Sequence, residues 1–409
     1  MPTASEPAIQ YVIIIVQENR STDNLFHGLP GADTASRGVD SHGNVIPLHP
    51  IALTERYDLS HLHDDFVAEY DGGKMDGADL VHVNCEGRPC PTNGQFAYVD
   101  PADVAPYFQM AERYVFADRM FQSNQGPSYP AHQYLISGTA EPAVGSQLLA
   151  VGNPYAPGGG GAVAGCDAPA GTKVAMISPD GRQNMQLPPC FEHPTLTDLL
   201  DASGISWNYF ASAPSSIWTG PNSIQHIRFG PDWPKVITPE TKVLTTIAQG
   251  QLAHVTWVMP TIQISDHPGA NDGSGPSWVT SIVNAIGGSR YWPHAAIFIT
   301  WDDWGGWYDH VAPSIFNAGE LGLRVPLIVV SPYARAGYVS HVPHEFGSIL
   351  HFTETQFGLG SLGFTDARAD DLSDCFDFAR PPRPFVPLNA PIHAAHFGPG
   401  LLQTNPDND

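Results

Sequence analysis

Basic residues are scarce in this chain. Lys and Arg together number 18 against 41 Asp and Glu in 409 residues, a formal net charge of −23. Nucleic acid and anionic membrane both demand a basic face, so neither is expected as the main partner. Long apolar runs are also missing. The longest aliphatic run, VIIIV at 12–16, falls far short of the roughly 20 residues needed to cross a bilayer, which argues against integral membrane association. The opening MPTASEPAIQ has neither a basic nor an apolar signal segment, so any signal peptide is expected to have been removed ahead of this numbering. Cysteines number only five, and no Cys/His spacing matches a zinc finger. Cys85 and Cys90 lie in CEGRPC, and Cys166 and Cys190 flank a Gly/Pro-rich stretch. Two local disulfides with Cys375 left over are expected, and with them a periplasmic or secreted protein; five reduced thiols in a cytosolic enzyme are the alternative.

What is present is a large apolar content, 42% of residues, together with 40 Gly and 39 Pro that punctuate it. That composition suits one large α/β domain over residues 1–409, with ordered loops. Runs rich in β-branched residues at Tyr11–Val16, Ile205–Phe210, His254–Met259, Ala295–Thr300 and Val325–Val330 read as buried parallel strands. Helical patterns lie between them: LTDLLDA before Gly204, Pro239–Ala248, Ser277–Ile286 and Glu345–Phe357, each stopped by a glycine. The alternation predicts an open, mostly parallel sheet flanked by helices. Residues 151–192 are turn-rich and read as a loop or cap insertion. Residues 375–409, with four prolines at 381, 382, 384 and 387, read as an extended tail.

Two of the predicted strands end in oxygen ligands. YVIIIV leads into Glu18 and Asn19, and AAIFIT leads into Trp301 and then Asp302 and Asp303. Ligands of parallel α/β sheets bind beyond the carboxyl ends of the strands. If the two strands are neighbours, four oxygen donors converge there, a set suited to one divalent cation. Adjacent acids after an apolar strand also repel each other unless a cation or strong donors intervene. Turn-forming or helix-capping roles are the ordinary alternative for each pair. In QSNQGPSYPAHQ, Gly126, Pro127 and Pro130 fix a turn around Ser128, with a helix following. A serine so placed is a candidate nucleophile, because helix N-terminal amides can hold a phosphoryl oxygen. His61, in DLSHLHDDF, and His267, in SDHPGAND, are candidates for holding phosphate oxygens and protonating a leaving group. Lys74, in DGGKMDG, and His310, in YDHV, are further candidates for substrate contact, His310 also as a support of the acid loop. His63, His132 and His344 read as ordinary structural histidines.

The sequence resembles a known family. E-N-R-S-x-D at 18–23, D-x-x-H at 58–61, GGKMDG at 72–77, D-R-x-F at 118–121, G-P-S-x-P at 126–130, D-H-P at 266–268, WDDWGGWYDHV from Trp301, and RVPLIVVSP at 324–332 occur in this order. Together they resemble the bacterial and plant phosphoesterase family of nonspecific phospholipases C and acid phosphatases. The resemblance implies an alkaline-phosphatase-like α/β fold and one divalent metal ion (Ca, Zn or Mg) held by Glu18, Asn19, Asp302 and Asp303. It also implies Ser128 as covalent nucleophile, with His61 and His267 against the phosphoryl group. Three departures stand out. Asp303 stands where the family often has Glu, His132 and Gln133 replace an Asn-Arg pair, and Ser128 stands where many phospholipases have Thr. Serine there points to an acid phosphatase, with a phospholipase C acting on phospholipid head groups as the alternative. A sulfatase is disfavoured because GPSYPAHQ lacks the arginine of the sulfatase signature. A secreted metal-binding protein without activity is disfavoured because Ser128 is present.

Overall fold

The computed structural model describes residues 7–156 and 163–398. Its centre is an eight-stranded sheet: β1 (Tyr11–Gln17), β2 (Val115–Ala117), β3 (Trp207–Phe210), β4 (Val236–Ile237), β5 (Val255–Val258), β6 (Ala295–Trp301), β7 (Leu327–Val330) and β8 (Tyr338–Ser340), in spatial order β4-β3-β5-β1-β6-β7-β2-β8. β1 is central. It pairs in parallel with β6 from Tyr11↔Ala295 to Gln17↔Trp301, and with β5 on its other side. Residues 12–16 and 295–301 have no exposed surface, as continuous apolar strands covered on both faces require.

Seven strands run one way and β7 runs against them, antiparallel to both β6 and β2. The run at Val325–Val330 is therefore a strand of the opposite sense to the parallel one expected. The chain leaves β6 at its carboxyl end, builds a long loop there, and re-enters the sheet from that same end. No crossover helix intervenes, so β7 has to run back.

Seven helices matter here: α1 (His63–Tyr70), α2 (Ala105–Arg113), α3 (Ser128–Ser137), α4 (Leu196–Ala202), α5 (Lys242–Ala248), α6 (Gly275–Gly287) and α7 (Phe346–Phe357). Glu345 caps α7 in a capping box with Ser348, and Gly358 closes it in the left-handed region, the asymmetry that sets most helix ends. Residues 149–187 contain a three-stranded antiparallel ribbon, Leu149–Ala150, Val174–Ile177 and Met185–Leu187. Residues 382–398 run beside α6, where Leu388 N donates to Asn284 and Phe397 packs edge-on against Trp278; the rest of the expected tail, 399–409, lies outside the described residues. The two disulfides are Cys85–Cys90 and Cys166–Cys190, and Cys375 is buried and unpaired. Among the described residues no helix is long and apolar enough to cross a membrane.

Candidate active site

Because β1 and β6 are adjacent and in register, Glu18–Asn19 and Asp302–Asp303 leave the sheet side by side. Backbone bonds lock the two loops together: Asp302 N donates to Gln17 O and Arg20 N to Asp303 O, both at 3.0 Å. Asn19 adopts φ 61, a left-handed conformation that asparagine tolerates. That turn aims its backbone N–H at Asp302 Oδ1, 3.0 Å away. The WGGW glycines make this approach possible. A Cβ on Gly305 would sit 2.2 Å from Asn19 O, and one on Gly306 would sit 2.5 Å from Ser60 O, so both need glycine for space as well as for positive φ.

Ser128 is the first residue of α3, directly after Pro127. Its turn is held by Gln122, whose side-chain amide donates to Asn124 O and Gly126 O while its oxygen accepts from Trp304 N. One side chain thus ties the serine turn to the acid loop. Ser128 Oγ lies 3.3 Å from Asp303 Oδ2. The other oxygen of Asp303 accepts from Gly305 N at 2.8 Å. Asp303 thus offers one oxygen to the serine and the other to Gly305, while Asp302 joins a cluster beside them.

That cluster is Glu18, His132 and Asp302, whose ligand atoms gather within 4.8 Å of one another with no exposed surface. His132 Nε2 lies 3.5 Å from Glu18 Oε1 and 3.6 Å from Asp302 Oδ2. Those separations are long for hydrogen bonds. They match the ~3.4 Å spacing of donors held tetrahedrally on one cation at ~2.1 Å. Asp302 Oδ2, Asn19 Oδ1 and both ring nitrogens of His132 are buried without a hydrogen-bond partner, an arrangement folded proteins avoid unless something else satisfies the atoms. Burial pushes the Asp302 carboxyl up, but nearby His132, Glu18 and Ser128 outweigh it and draw it down to about 2. The residues present therefore fit a divalent cation.

His61 and His267 flank the centre, their rings 6.4 Å apart. His61 Nδ1 faces Leu59 O at 2.9 Å, and His267 Nδ1 faces Pro268 O at 2.8 Å. Each Nδ1 therefore carries a proton in a bond to a backbone carbonyl, which fixes the orientation of both rings. Asn19 Nδ2 donates to His61 Nε2 at 2.9 Å. His61 Nε2 also stands 3.9 Å from Asp303 Oδ2. Asp266, next to His267, accepts from Tyr107 and Trp301, and burial lifts its carboxyl to about 6.

Two expected substrate contacts are not assembled into this centre. His310 is held by Asp23 on one ring nitrogen and Asp33 on the other, at 2.6 and 3.1 Å; burial lowers its proton affinity, but Asp23 and Asp309 outweigh that and raise it to about 9. It belongs to a buried ion-pair network with Asp309 and Arg324 that braces the acid loop. That network matches the supporting role expected of His310 and leaves no ring nitrogen for substrate. Lys74 is exposed and pairs with neighbouring Asp71. Asp303, expected beside Asp302 as a ligand, bonds to Ser128 Oγ and Gly305 N.

Three contributors escaped the sequence reading. His132 reaches the cluster because it lies four residues after Ser128 on α3, so both share one helix face; that spacing was a usable signal. Glu69 accepts from Trp304 Nε1 at 2.9 Å and Asp309 N at 3.1 Å, anchoring the acid loop, and its burial drives its pKa well above the usual carboxylate range. Gln122 is the third. Trp301, Trp304 and Trp307 are packing, with no exposed surface, and Trp218 stands beside His132 and His267.

A hydroxyl beside a buried carboxylate, with a donor set that fits a divalent cation nearby, thus sits at the carboxyl ends of two neighbouring parallel strands of an α/β sheet. The chain belongs to the Phosphoesterase family, whose model matches residues 9–360. The resemblance carried by the ordered motifs is thereby borne out. A non-hemolytic phospholipase C of Pseudomonas aeruginosa is 24% identical over 436 residues, covering 91% of this chain and 58% of its own length. Phospholipase C B of Mycobacterium tuberculosis is 23% identical over 455 residues, covering 93% of this chain and 80% of its own length. The chain spans under two thirds of the Pseudomonas relative. Among solved structures, a protein in the alkaline phosphatase superfamily from Vibrio parahaemolyticus is 8% identical with a TM-score of 0.38, over 90% of this chain and 71% of that one.

Proposed function

We propose that this chain is a metal-assisted hydrolase of phosphate esters in which Ser128 accepts the phosphoryl group. The observation that carries the reading is Ser128 Oγ at 3.3 Å from Asp303 Oδ2, beside the Glu18/His132/Asp302 cluster. Glu18, Asp302, His132 and Asn19 Oδ1 would hold one divalent cation, which supplies charge neutralisation at the phosphoryl oxygens and lowers the serine hydroxyl pKa. Ser128 Oγ forms the bond to phosphorus and passes its proton to Asp303 Oδ2. His267, entering the cycle as the imidazolium, gives its Nε2 proton to the leaving alkoxide. His61 suits that step less well, since its Nε2 accepts from Asn19 and so carries no proton there. A water then attacks the phosphoserine, giving a proton back to the same histidine, while Asp303 returns its proton to Ser128 Oγ as the P–O bond breaks and phosphate leaves. The α3 N-terminus keeps backbone N–H groups near the phosphoryl oxygens.

Charge supports phosphodiesters, phospholipid head groups included, at neutral pH and monoesters in acid. Every nearby guanidinium is already committed. Arg20 donates to the carbonyls of Asp266 and Leu53 and to Asn24 Oδ1, and Arg324 donates to Asp309 and to the carbonyls of Asp33 and Asp118. A phosphate monoester becomes a dianion above pH ~6, whereas a diester stays singly charged. The dianion must approach three buried carboxylates with only the cation and histidines to oppose them. The acid phosphatase and phospholipase C readings then become two substrates of one centre. With p-nitrophenyl phosphate and p-nitrophenyl phosphorylcholine assayed together, the diester-to-monoester ratio of kcat/KM should rise about tenfold per pH unit above pH ~6. Taking the ratio cancels titrations of the enzyme itself. A ratio independent of pH would remove the charge argument. Two disulfides support an exported protein working in an oxidising compartment.

A further inference from the structure

We propose that His132 is a nitrogen ligand of the catalytic cation and makes the centre selective for a borderline ion such as zinc over calcium and magnesium. The proposal rests on reading the cluster as a metal site and adds which ion the site takes. Family resemblance supplies only oxygen donors, and His132 stands at one of its departures. The imidazole has no exposed surface, and neither ring nitrogen has a hydrogen-bond partner. Nε2 points between Glu18 Oε1 and Asp302 Oδ2, at 3.5 and 3.6 Å. Among the described residues no hydrogen bond satisfies that nitrogen.

Its position is fixed rather than incidental. α3 is buried along its whole length. The His132 carbonyl lies where a Cβ on Gly220 would come within 2.6 Å, so only glycine lets that segment pack so closely on the helix. Trp218 sits beside the ring at 6.5 Å between centroids. Asp303 meanwhile is engaged with Gly305 N and Ser128 Oγ, and its arm is one methylene shorter than that of a Glu. With Asp303 serving the nucleophile, His132 takes the remaining coordination place. The donor set becomes one imidazole, two carboxylates and one amide oxygen. Calcium asks for six to eight oxygens and magnesium keeps its waters, whereas imidazole suits zinc and its transition-metal neighbours.

A rival arrangement uses the same geometry without a metal, with an imidazolium neutralising Glu18 and Asp302 directly. Pulsed EPR of the full chain, stripped of metal and loaded with one equivalent of manganese(II), separates the two. Imidazole nitrogen coupling is expected in the wild type and its loss in His132→Gln. Zinc affinity by competition calorimetry should fall at least ~100-fold in that variant, with calcium and magnesium affinities shifted less than ~3-fold. Manganese bound without nitrogen coupling, or unchanged zinc affinity in His132→Gln, would overturn the ligand role while leaving the metal-assisted hydrolase intact. Failure to bind any divalent ion would overturn both. Should His132→Gln fail to fold, the wild-type coupling alone still decides the matter.

Discussion

Ser128→Ala is expected to lose at least ~10³-fold in kcat on both monoester and diester, with divalent metal content unchanged. The asymmetry follows from the layout. Ser128 Oγ lies 3.3 Å from Asp303 Oδ2 and is itself not among the proposed cation donors, Glu18, His132, Asp302 and Asn19. Removing one hydroxyl therefore deletes the nucleophile and leaves the donors standing. The helix should tolerate the change, since alanine is a better helix former than serine and Ser128 provides no capping bond. A control on stability belongs with the kinetics, because a loss of activity accompanied by a loss of fold would say nothing about the hydroxyl. Metal stoichiometry by elemental analysis and single-turnover assays on the same preparation check the expectation. Retention of more than a tenth of the wild-type rate would remove Ser128 from the covalent step.

Asp302→Asn is expected to do the reverse, weakening cation binding at least ~100-fold and reducing turnover at stoichiometric metal by a comparable factor, with partial recovery at high metal concentration. An asparagine can still present an oxygen to Asn19 N, so the 3.0 Å link between the two loops survives. What disappears is the charge on the oxygen facing His132. That carboxyl is held at about 2 in the protein alone, so it is ionised at any working pH and its charge is available to a cation. Dissociation constants measured by calorimetry on wild type and variant, alongside kcat at several metal concentrations, decide the outcome. Full affinity and full activity in the variant would show that Asp302 is structural only.

Much of the architecture could be read from the chain, and the reasons for the gaps are physical. The runs that became β1, β3, β5 and β6 are apolar and flanked by glycine-stopped helices, so local pattern and tertiary placement agree. β7 has the same composition, yet its direction depends on the 302–326 loop returning to the end of the sheet it left, which composition does not encode. β2 and β8, VFA and YVS, are three residues each and too short to show a period; they exist as strands because neighbours offer them partners. At the site, Glu18, Asn19, Asp302 and Ser128 were legible because each follows a strong local signal, a strand end or a rigid turn. Glu69 was not, since its partner Trp304 lies 235 positions away. Lys74 lies exposed and paired with Asp71, a placement the sequence does not indicate, because a glycine-rich setting and a positive charge look alike whether or not a ligand is near. His132 is the instructive case. Its four-residue offset from Ser128 was visible, but only the adjacent strand ends reveal what that helix face meets.

The most direct test of the account is to quench the enzyme during turnover of p-nitrophenyl phosphorylcholine and map phosphorylation by peptide mass spectrometry. A single phosphoryl group on Ser128, appearing with substrate and vanishing when the substrate is exhausted, is the predicted result. A quenched enzyme that carries no phosphoryl group under conditions where leaving-group release runs ahead of phosphate release, or one that carries it on another residue, would contradict the claim that this serine hydroxyl attacks phosphorus.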